Sequence, residues 1–279
     1  MGDVTMIPAD KLGEGSTIVV EILETNEDLY HDMARTMLNQ VAANEAAGRP
    51  TAFILPVGPV GQYRRMARIC NRERISLRNL VTFNMDEYLD DSGDWLPADH
   101  PLSFRGHMKR SFTDLLDPEL APLPKNVIFP DPRDPDAIQR RIDEVGGVDI
   151  CYAGIGINGH IAFNEPPEPG EECAKDEFAA RPTRVLELSR ETRLINSVTV
   201  ADGNRDIIPT LAITIGMREI LAAREVRLYA NRDWQRAVVR QVLHGPVTPA
   251  VPCSYLQEHP NASLTLTEFV AQPPRRRLA

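Results

Sequence analysis

Between Asn158 and Glu165 the chain gathers an imidazole, His160, a carboxylate, Glu165, and the carboxamides of Asn158 and Asn164. An imidazole with an ordinary pKa of about 6.5 exchanges protons near neutral pH. A carboxylate five residues on can hold one ring nitrogen, fix the tautomer and leave the other nitrogen for a substrate. These are the parts of a proton-transfer site. Alone, such a histidine would more often be structural; in a loop containing Gly154, Gly156 and Gly159 the catalytic reading is the stronger one. An acidic pair, Asp86-Glu87, follows the apolar run of residues 80–85. A carboxylate at the edge of a partly desolvated cleft has its pKa raised and becomes a better base. The competing reading is that Asp86 caps the turn that follows. A third stretch, Val57-Gly58-Pro59-Val60-Gly61, sits where an α/β protein would hold phosphate, between a strand and a helix N-terminus. It is poor in donors, because Pro59 has no N–H and neither valine has a hydroxyl.

The elements that must position these groups are legible as hydrophobic rhythm. The β-branched residues 16–23 precede a helical pattern over residues 26–47, and residues 51–56 read as a buried strand before a helix over residues 62–72. Residues 80–85 form a third strand, delivering Asp86-Glu87 at its carboxyl end. After a polar loop, Ser103 caps a helix running to about Phe112. Residues 126–129 are a short strand, residues 135–144 a helix, and residues 148–153 the strand that carries the His160 loop. Residues 166–181, rich in Pro, Glu and Gly, have the composition of a mobile segment beside a site and are a lid candidate. Strands follow at residues 185–188, 211–215, 226–230 and 263–267, with helices over residues 217–223 and 233–243. Strands alternating with helices predict an α/β fold, a mostly parallel sheet with helices on both faces, in a single domain over residues 1–279. Ligands in such folds bind beyond the carboxyl ends of the strands. The three candidate stretches all fall there.

Composition narrows the function classes. The 279 residues carry a net charge of −9, which leaves no electrostatic footprint for nucleic acid. The one basic cluster, Arg275-Arg276-Arg277, lies in residues 272–279, read as a flexible tail. No apolar stretch reaches the roughly 20 residues that span a bilayer, and the N-terminal residues lack a signal pattern, so no membrane partner is expected and a cytoplasmic protein is the simplest reading. The four cysteines, Cys70, Cys151, Cys173 and Cys253, are too widely spaced for a zinc site or a disulfide framework.

Residues 82–88 (TFNMDEY), 99–104 (DHPLSF) and 156–166 (GINGHIAFNEP) closely resemble the glucosamine-6-phosphate deaminase (isomerase) family, with weaker matches at residues 191–197 and 256–260. The resemblance implies a Rossmann-like α/β sandwich that turns an amino sugar into a ketose with loss of ammonia, using no metal or organic cofactor. By that likeness Asp86 matches the base that moves a proton between C2 and C1, His160 the residue assisting ring opening, and Glu165 its carboxylate partner. Asn158 stands where many members have Asp. Glu87, Gly58, Gly61, Gly159, Arg193 and Arg236 are the expected substrate-binding residues. The family includes hexameric and monomeric branches, so a homo-oligomer is left open.

The departures fall on one function. The family's hydroxyl-rich phosphate loop is replaced by residues 57–61, its phosphate-binding arginine falls on Val198, and its phosphate lysine aligns near Gln235 or Arg236. Charge-assisted bonds contribute roughly 1.5 to 3 kcal/mol each, so losing an arginine and two hydroxyls should cripple phosphate recognition. The expected substrate is therefore a small amino sugar that is unphosphorylated or differently substituted. Two other readings compete: a 6-phosphogluconolactonase-like hydrolase, disfavoured by the IAFNEP continuation and the Asp86-Glu87 strand end, and a non-catalytic sugar-sensing module, for which the chain offers no spare helix-turn-helix.

Overall fold

The computed structural model describes residues 3–275. Of the tail segment, residues 276–279, with Arg276 and Arg277, lie outside the described residues. Among the described residues, ten strands are present: β1 (Val19–Leu23), β2 (Thr51–Leu55), β3 (Leu80–Asn84), β4 (Asp86–Leu89), β5 (Val127–Ile128), β6 (Ile150–Gly154), β7 (Arg184–Glu187), β8 (Leu211–Thr214), β9 (Glu225–Ala230) and β10 (Ala262–Thr267). Seven of them make one sheet, in the order β1-β10-β9-β6-β2-β3-β5, with every neighbouring pair parallel. The helices are α1 (Asn26–Ala46), α2 (Gln62–Glu73), α3 (Phe104–Ser111), α4 (Ala137–Glu144), α5 (Lys175–Ala179), α6 (Arg190–Val200), α7 (Met217–Leu221), α8 (Arg236–His244) and α9 (Glu268–Ala271).

The central strands show why helices must cover both faces. Side chains alternate across a strand, so a strand that is apolar at every position needs a partner on each side. In β2, Ala52 and Ile54 enter one core with α4, α7, α8 and α9, while Phe53 and Leu55 enter a second core with α1, α2 and α3. In β6, Cys151 and Ala153 join the first core, and Ile150 and Tyr152 the second. Burial of one such side chain contributes about 1.5–3 kcal/mol, against about 0–1 for an exposed ion pair, so these two cores set the stability. Local signals start the helices as expected: Thr25 and Asp28 cap α1 reciprocally, each side chain accepting the other's backbone N–H at 3.1 Å. The fully buried Arg240 guanidinium on α8 fastens the chain ends, donating to the carbonyls of Ile7, Arg236 and Ala271 at 2.6, 2.8 and 2.5 Å.

Two features were not visible in the hydrophobic rhythm. The strands expected at residues 185–188 and 211–215 do not join the main sheet. As β7 and β8 they form a separate antiparallel sheet with β4, in the order β4-β8-β7. The run of residues 80–85 ends its pairing at Asn84, and the chain turns at Met85 into this second sheet. Met85 is the joint: its N–H bonds Leu55 O at 2.9 Å and its carbonyl accepts from Ile215 N at 2.8 Å. Helix α6 is the other addition. Only Thr192 and Ser197 are buried along it, while Leu194, Val198 and Val200 are exposed, so its sequence carries no apolar stripe.

Candidate active site

The strand order reverses between β2 and β6, and a cavity of about 390 Å³ opens at their carboxyl ends. Its floor comes from four strand ends: Pro56 to Val60 after β2, Met85 and Asp86 after β3, Gly154 to Ile157 after β6, and Tyr229, Asn231 and Arg232 at β9. Leu102, Ser103, Phe104 and His107 close one side, and Ile195, Asn196, Thr199 and Val200 of α6 close another.

Asp86 lines this cavity at 8% exposure. Its backbone is fixed by the β4–β8 ladder, opposite Thr214. No protein group among the described residues hydrogen-bonds its carboxylate. Burial, reinforced by the neighbouring Glu87 charge, pushes its pKa up to about 8. An unpartnered carboxylate with a pKa near neutrality is suited to taking a proton from a weak acid.

His160 lines the same cavity. Its Nδ1 faces Asn158 Oδ1 at 2.8 Å, Thr192 Oγ1 at 3.2 Å and Glu165 Oε2 at 3.3 Å. Asn158 donates its amide to the same Glu165 oxygen at 2.8 Å, which turns Oδ1 toward the ring. An acceptor there requires the proton on Nδ1, leaving the Nε2 lone pair without a protein partner. Burial works to raise the Glu165 pKa, but the His160 charge and bonds from His160, Asn158 and Thr192 outweigh it and bring it down to about 2. The carboxylate is thus a permanent anion behind the ring. The loop that presents this group is tightly fitted. Gly159 has φ +85 and its carbonyl accepts from Cys253 N at 2.8 Å, while Asn164 donates to the carbonyls of Ile161 and Ile215 at 3.0 and 2.9 Å. A Cβ on Gly156 would lie 2.2 Å from His160 Cε1 and Nε2, so only glycine leaves room for the imidazole.

Several expected binding residues lie elsewhere. Glu87 does not line the cavity: it is wholly buried, and its oxygens accept from Tyr88 N, Phe104 N, Arg105 N and Ser103 Oγ at 2.8–3.0 Å, with Arg105 Nε at 3.4 Å. It anchors the start of α3, because strand alternation sends adjacent side chains to opposite faces. Gly61 also misses the cavity and makes room for Tyr30, whose ring would be 2.2 Å from an added Cβ. Gly159, Arg193 and Arg236 are absent from the lining, whereas Gly58 is part of it. None of residues 166–181 lines the cavity either. Their helix α5 is fastened to the surface by Phe178, fully buried and stacked on Tyr255 with ring centroids 5.6 Å apart. Composition marks coil but does not say where the coil lies.

Four contributors escaped sequence reasoning: α6, His107, Arg232 and Trp234. Asn196 of α6 donates to the Tyr88 hydroxyl at 2.8 Å, tying this wall to β4. His107 presents a buried Nε2 without a partner. Among the described residues, no group of three or more His, Cys, Asp or Glu side chains is arranged to hold a metal ion, and no helix is long and apolar enough to cross a membrane.

Comparison with known proteins places this geometry. No family model matches the chain. The glucosamine-6-phosphate deaminase of Porphyromonas gingivalis is 33% identical over 234 residues, covering 81% of this chain and 82% of that protein. The chain belongs to the glucosamine-6-phosphate deaminase family. Another glucosamine-6-phosphate deaminase, from Rhodopirellula baltica, is 31% identical over 264 residues, 93% of this chain and 97% of that one. Among solved structures, a monomeric glucosamine-6-phosphate deaminase superposes with a TM-score of 0.76 at 27% identity, covering 91% of this chain and 99% of the other. The 6-phosphogluconolactonase of Trypanosoma brucei reaches a TM-score of 0.66 at only 17% identity, a likeness of fold alone. This chain is therefore an α/β enzyme of the deaminase family, with a parallel sheet of seven strands and a small antiparallel one.

Proposed function

We propose that the protein converts an amino aldose and water into the corresponding ketose and ammonia, with His160 and Asp86 in the two proton-transfer roles. The observation that carries this reading is the pairing, in one cavity, of an oriented imidazole and an unpartnered, desolvated carboxylate. His160 Nε2 takes the proton of the C1 hydroxyl and returns one to the ring oxygen, opening the pyranose. Glu165 and Asn158 hold the ring tautomer and favour its transient positive charge. Asp86 then removes the C2 proton, giving an enolamine, and delivers a proton to C1 to form the imine of the ketose. Water adds to C2 of that imine, and the C–N bond breaks with loss of ammonia.

The far end of the substrate is gripped differently from the family's pattern. Val198, 66% exposed, and Arg236 are not in the lining, and residues 57–60 present a largely apolar wall. These observations support an unphosphorylated or differently substituted amino sugar. Assay of ammonia and ketose from glucosamine and glucosamine 6-phosphate tests both parts. Equimolar ammonia and ketose are expected, whereas hydrolysis of 6-phosphogluconolactone without ammonia release would overturn the reaction, and a micromolar KM for glucosamine 6-phosphate would overturn the altered substrate.

Gly156→Ala tests the imidazole's placement. A Cβ at 2.2 Å must displace the ring from Asn158 and Glu165, and a misplacement of about 1 Å can cost about 100-fold in rate. The expected result is a kcat lower by about that factor with circular dichroism unchanged; full activity would show that the ring position does not matter.

A further inference from the structure

A second cavity, of about 460 Å³, lies at the amino ends of β2 and β3. The two strands pair in parallel with Thr51 opposite Leu80, and both of these residues line it. It therefore sits at the opposite end of the strands from Asp86 and His160. Its walls are the last turns of α1, the connection from α1 to β2, and the loop that follows α2. That loop is fixed in place: Leu77 is fully buried and its N–H donates to Leu120 O at 2.7 Å, while Leu80 N donates to Leu77 O at 2.9 Å. A preformed cavity of this size takes a small metabolite.

The charges around it are arranged in an uncommon way. Glu45 and Arg49 have the i, i+4 spacing of a helical ion pair, yet they do not meet. Helix α1 ends at Ala46, Gly48 turns the chain with φ +69, and Arg49 Nη1 donates instead to Asp149 Oδ1 at 2.7 Å. Arg224 Nη1 donates to the same oxygen at 2.9 Å. One carboxylate thus faces two guanidiniums and leaves a surplus of one positive charge beside the cavity. Glu45 has no cationic partner among the described residues, and it lies at the carboxyl end of α1, where the helix adds negative partial charge. The cavity consequently has a positive and a negative pole that the backbone keeps apart. Thr51 supplies a further polar group. It shares its face of β2 with Phe53 and Leu55, which enter the core under α1 and α2. At 3% exposure its hydroxyl has no hydrogen-bond partner among the described residues, a costly arrangement unless a molecule in the cavity meets it.

We propose that this cavity is a second binding site, for a small zwitterion of the α-amino acid class. The ligand's carboxylate lies on Arg49, its ammonium on Glu45 and the carboxyl end of α1, and a polar group on the Thr51 hydroxyl. Arg49 gives one of its five N–H groups to Asp149 and keeps the others for a planar carboxylate. The surplus of one positive charge matches a carboxylate and falls short of a phosphate dianion. Val41 and Leu80 give the cavity an apolar side against which the ligand's carbon atoms pack. The site is independent of the reaction proposed above.

Titration followed by amide NMR tests the assignment, because it reports which cavity is occupied. L-Serine and L-glutamine are added to the wild-type protein, Glu45→Gln and Thr51→Val. Ethanolamine and 3-hydroxypropionate, which are serine without its carboxylate and without its amine, serve as single-charge probes. At least one amino acid is expected to shift the amide resonances of Gly48, Arg49, Thr51 and Asn79 and to leave those of Gly58 and Gly156 in place. Glu45→Gln should weaken that binding by about 10- to 100-fold, the effect of one charge-assisted bond, and Thr51→Val by about 3- to 10-fold. Both single-charge probes should bind at least about 10-fold more weakly than the amino acid. Glu45 is exposed and Thr51→Val keeps the side-chain shape, so both variants are expected to fold, and the dispersion of their spectra checks this. Binding of neither amino acid, shifts confined to Gly58 and Gly156, or equal affinity in wild type and both variants would overturn the site. Tighter binding of glucosamine 6-phosphate than of either amino acid at Gly48 to Thr51 would overturn the ligand class.

Discussion

Asp86→Asn is expected to lower kcat by about 10³- to 10⁴-fold while leaving the fold intact, because it removes the proposed base and preserves the shape. Asparagine has the volume of aspartate, and the carboxylate has no protein hydrogen bond to lose. The wild-type rate should rise with pH through about 8, as the base ionises, and the residual rate of the variant should not follow that ionisation. Stability should move the other way. An ordinary aspartate loses its proton near pH 4, whereas folded Asp86 holds it to about 8. Between these values the folded state binds a proton that the unfolded state has lost, so the contribution of this group to stability is greatest below about pH 4 and falls as pH rises toward 8. The ionised carboxylate is then a buried, unpaired charge. Asp86→Asn should consequently melt a few degrees higher than wild type at pH 8 and show little difference at pH 4. Full activity of the variant, or a wild-type rate independent of pH between 6 and 9, would remove Asp86 from the chemistry.

Glu87→Ala should be among the most damaging single changes to folding, although it is its neighbour, Asp86, that is the proposed base. The carboxylate is 0% exposed and satisfies four donors: the backbone N–H groups of Phe104 and Arg105 at the start of α3, the Ser103 hydroxyl, and the N–H of Tyr88 on β4. Truncation leaves those donors buried without partners and frees the Arg105 guanidinium, a loss of about 3–5 kcal/mol. For a chain of this size that corresponds to a melting temperature lower by roughly 10 °C. Differential scanning calorimetry measures this directly; a change under about 2 °C would contradict the anchoring role. Glu87→Gln separates structure from electrostatics. It keeps one acceptor oxygen and removes the charge that helps raise the Asp86 pKa, so the pH midpoint of the rate should shift below 8.

The contrast between these two adjacent residues shows where sequence reading stops. Asp86 and Glu87 have the same charge and the same apolar run before them, and a one-residue difference decides which reaches the cavity. That choice belongs to the pleat of β4, which exists because residues 86–89 pair with β8, over 120 positions later in the chain. Helix α6 makes a similar point. Its two buried residues, Thr192 and Ser197, are polar, so no periodic pattern announced a helix that nonetheless walls the cavity and reaches His160 through Thr192. The segment 166–181 is distinctive in composition, yet it lies off the cavity and carries the short helix α5, since composition does not say what a segment packs against.

The chain by itself determined the parts that local physics controls. Buried strands, capped helices and glycine-bearing loops were legible because hydrophobic period and backbone permissiveness depend on residues close in sequence. The motif from Gly154 to Pro166 disclosed the family, and its histidine, carboxylate and amide do meet within hydrogen-bond range because they lie within eight positions of one another. The tertiary structure alone decided the rest: the second sheet and the burial of Asp86 without a partner. Each depends on pairings between segments far apart in the chain. Desolvation, which makes a carboxylate a better base, arises only when those segments close around it.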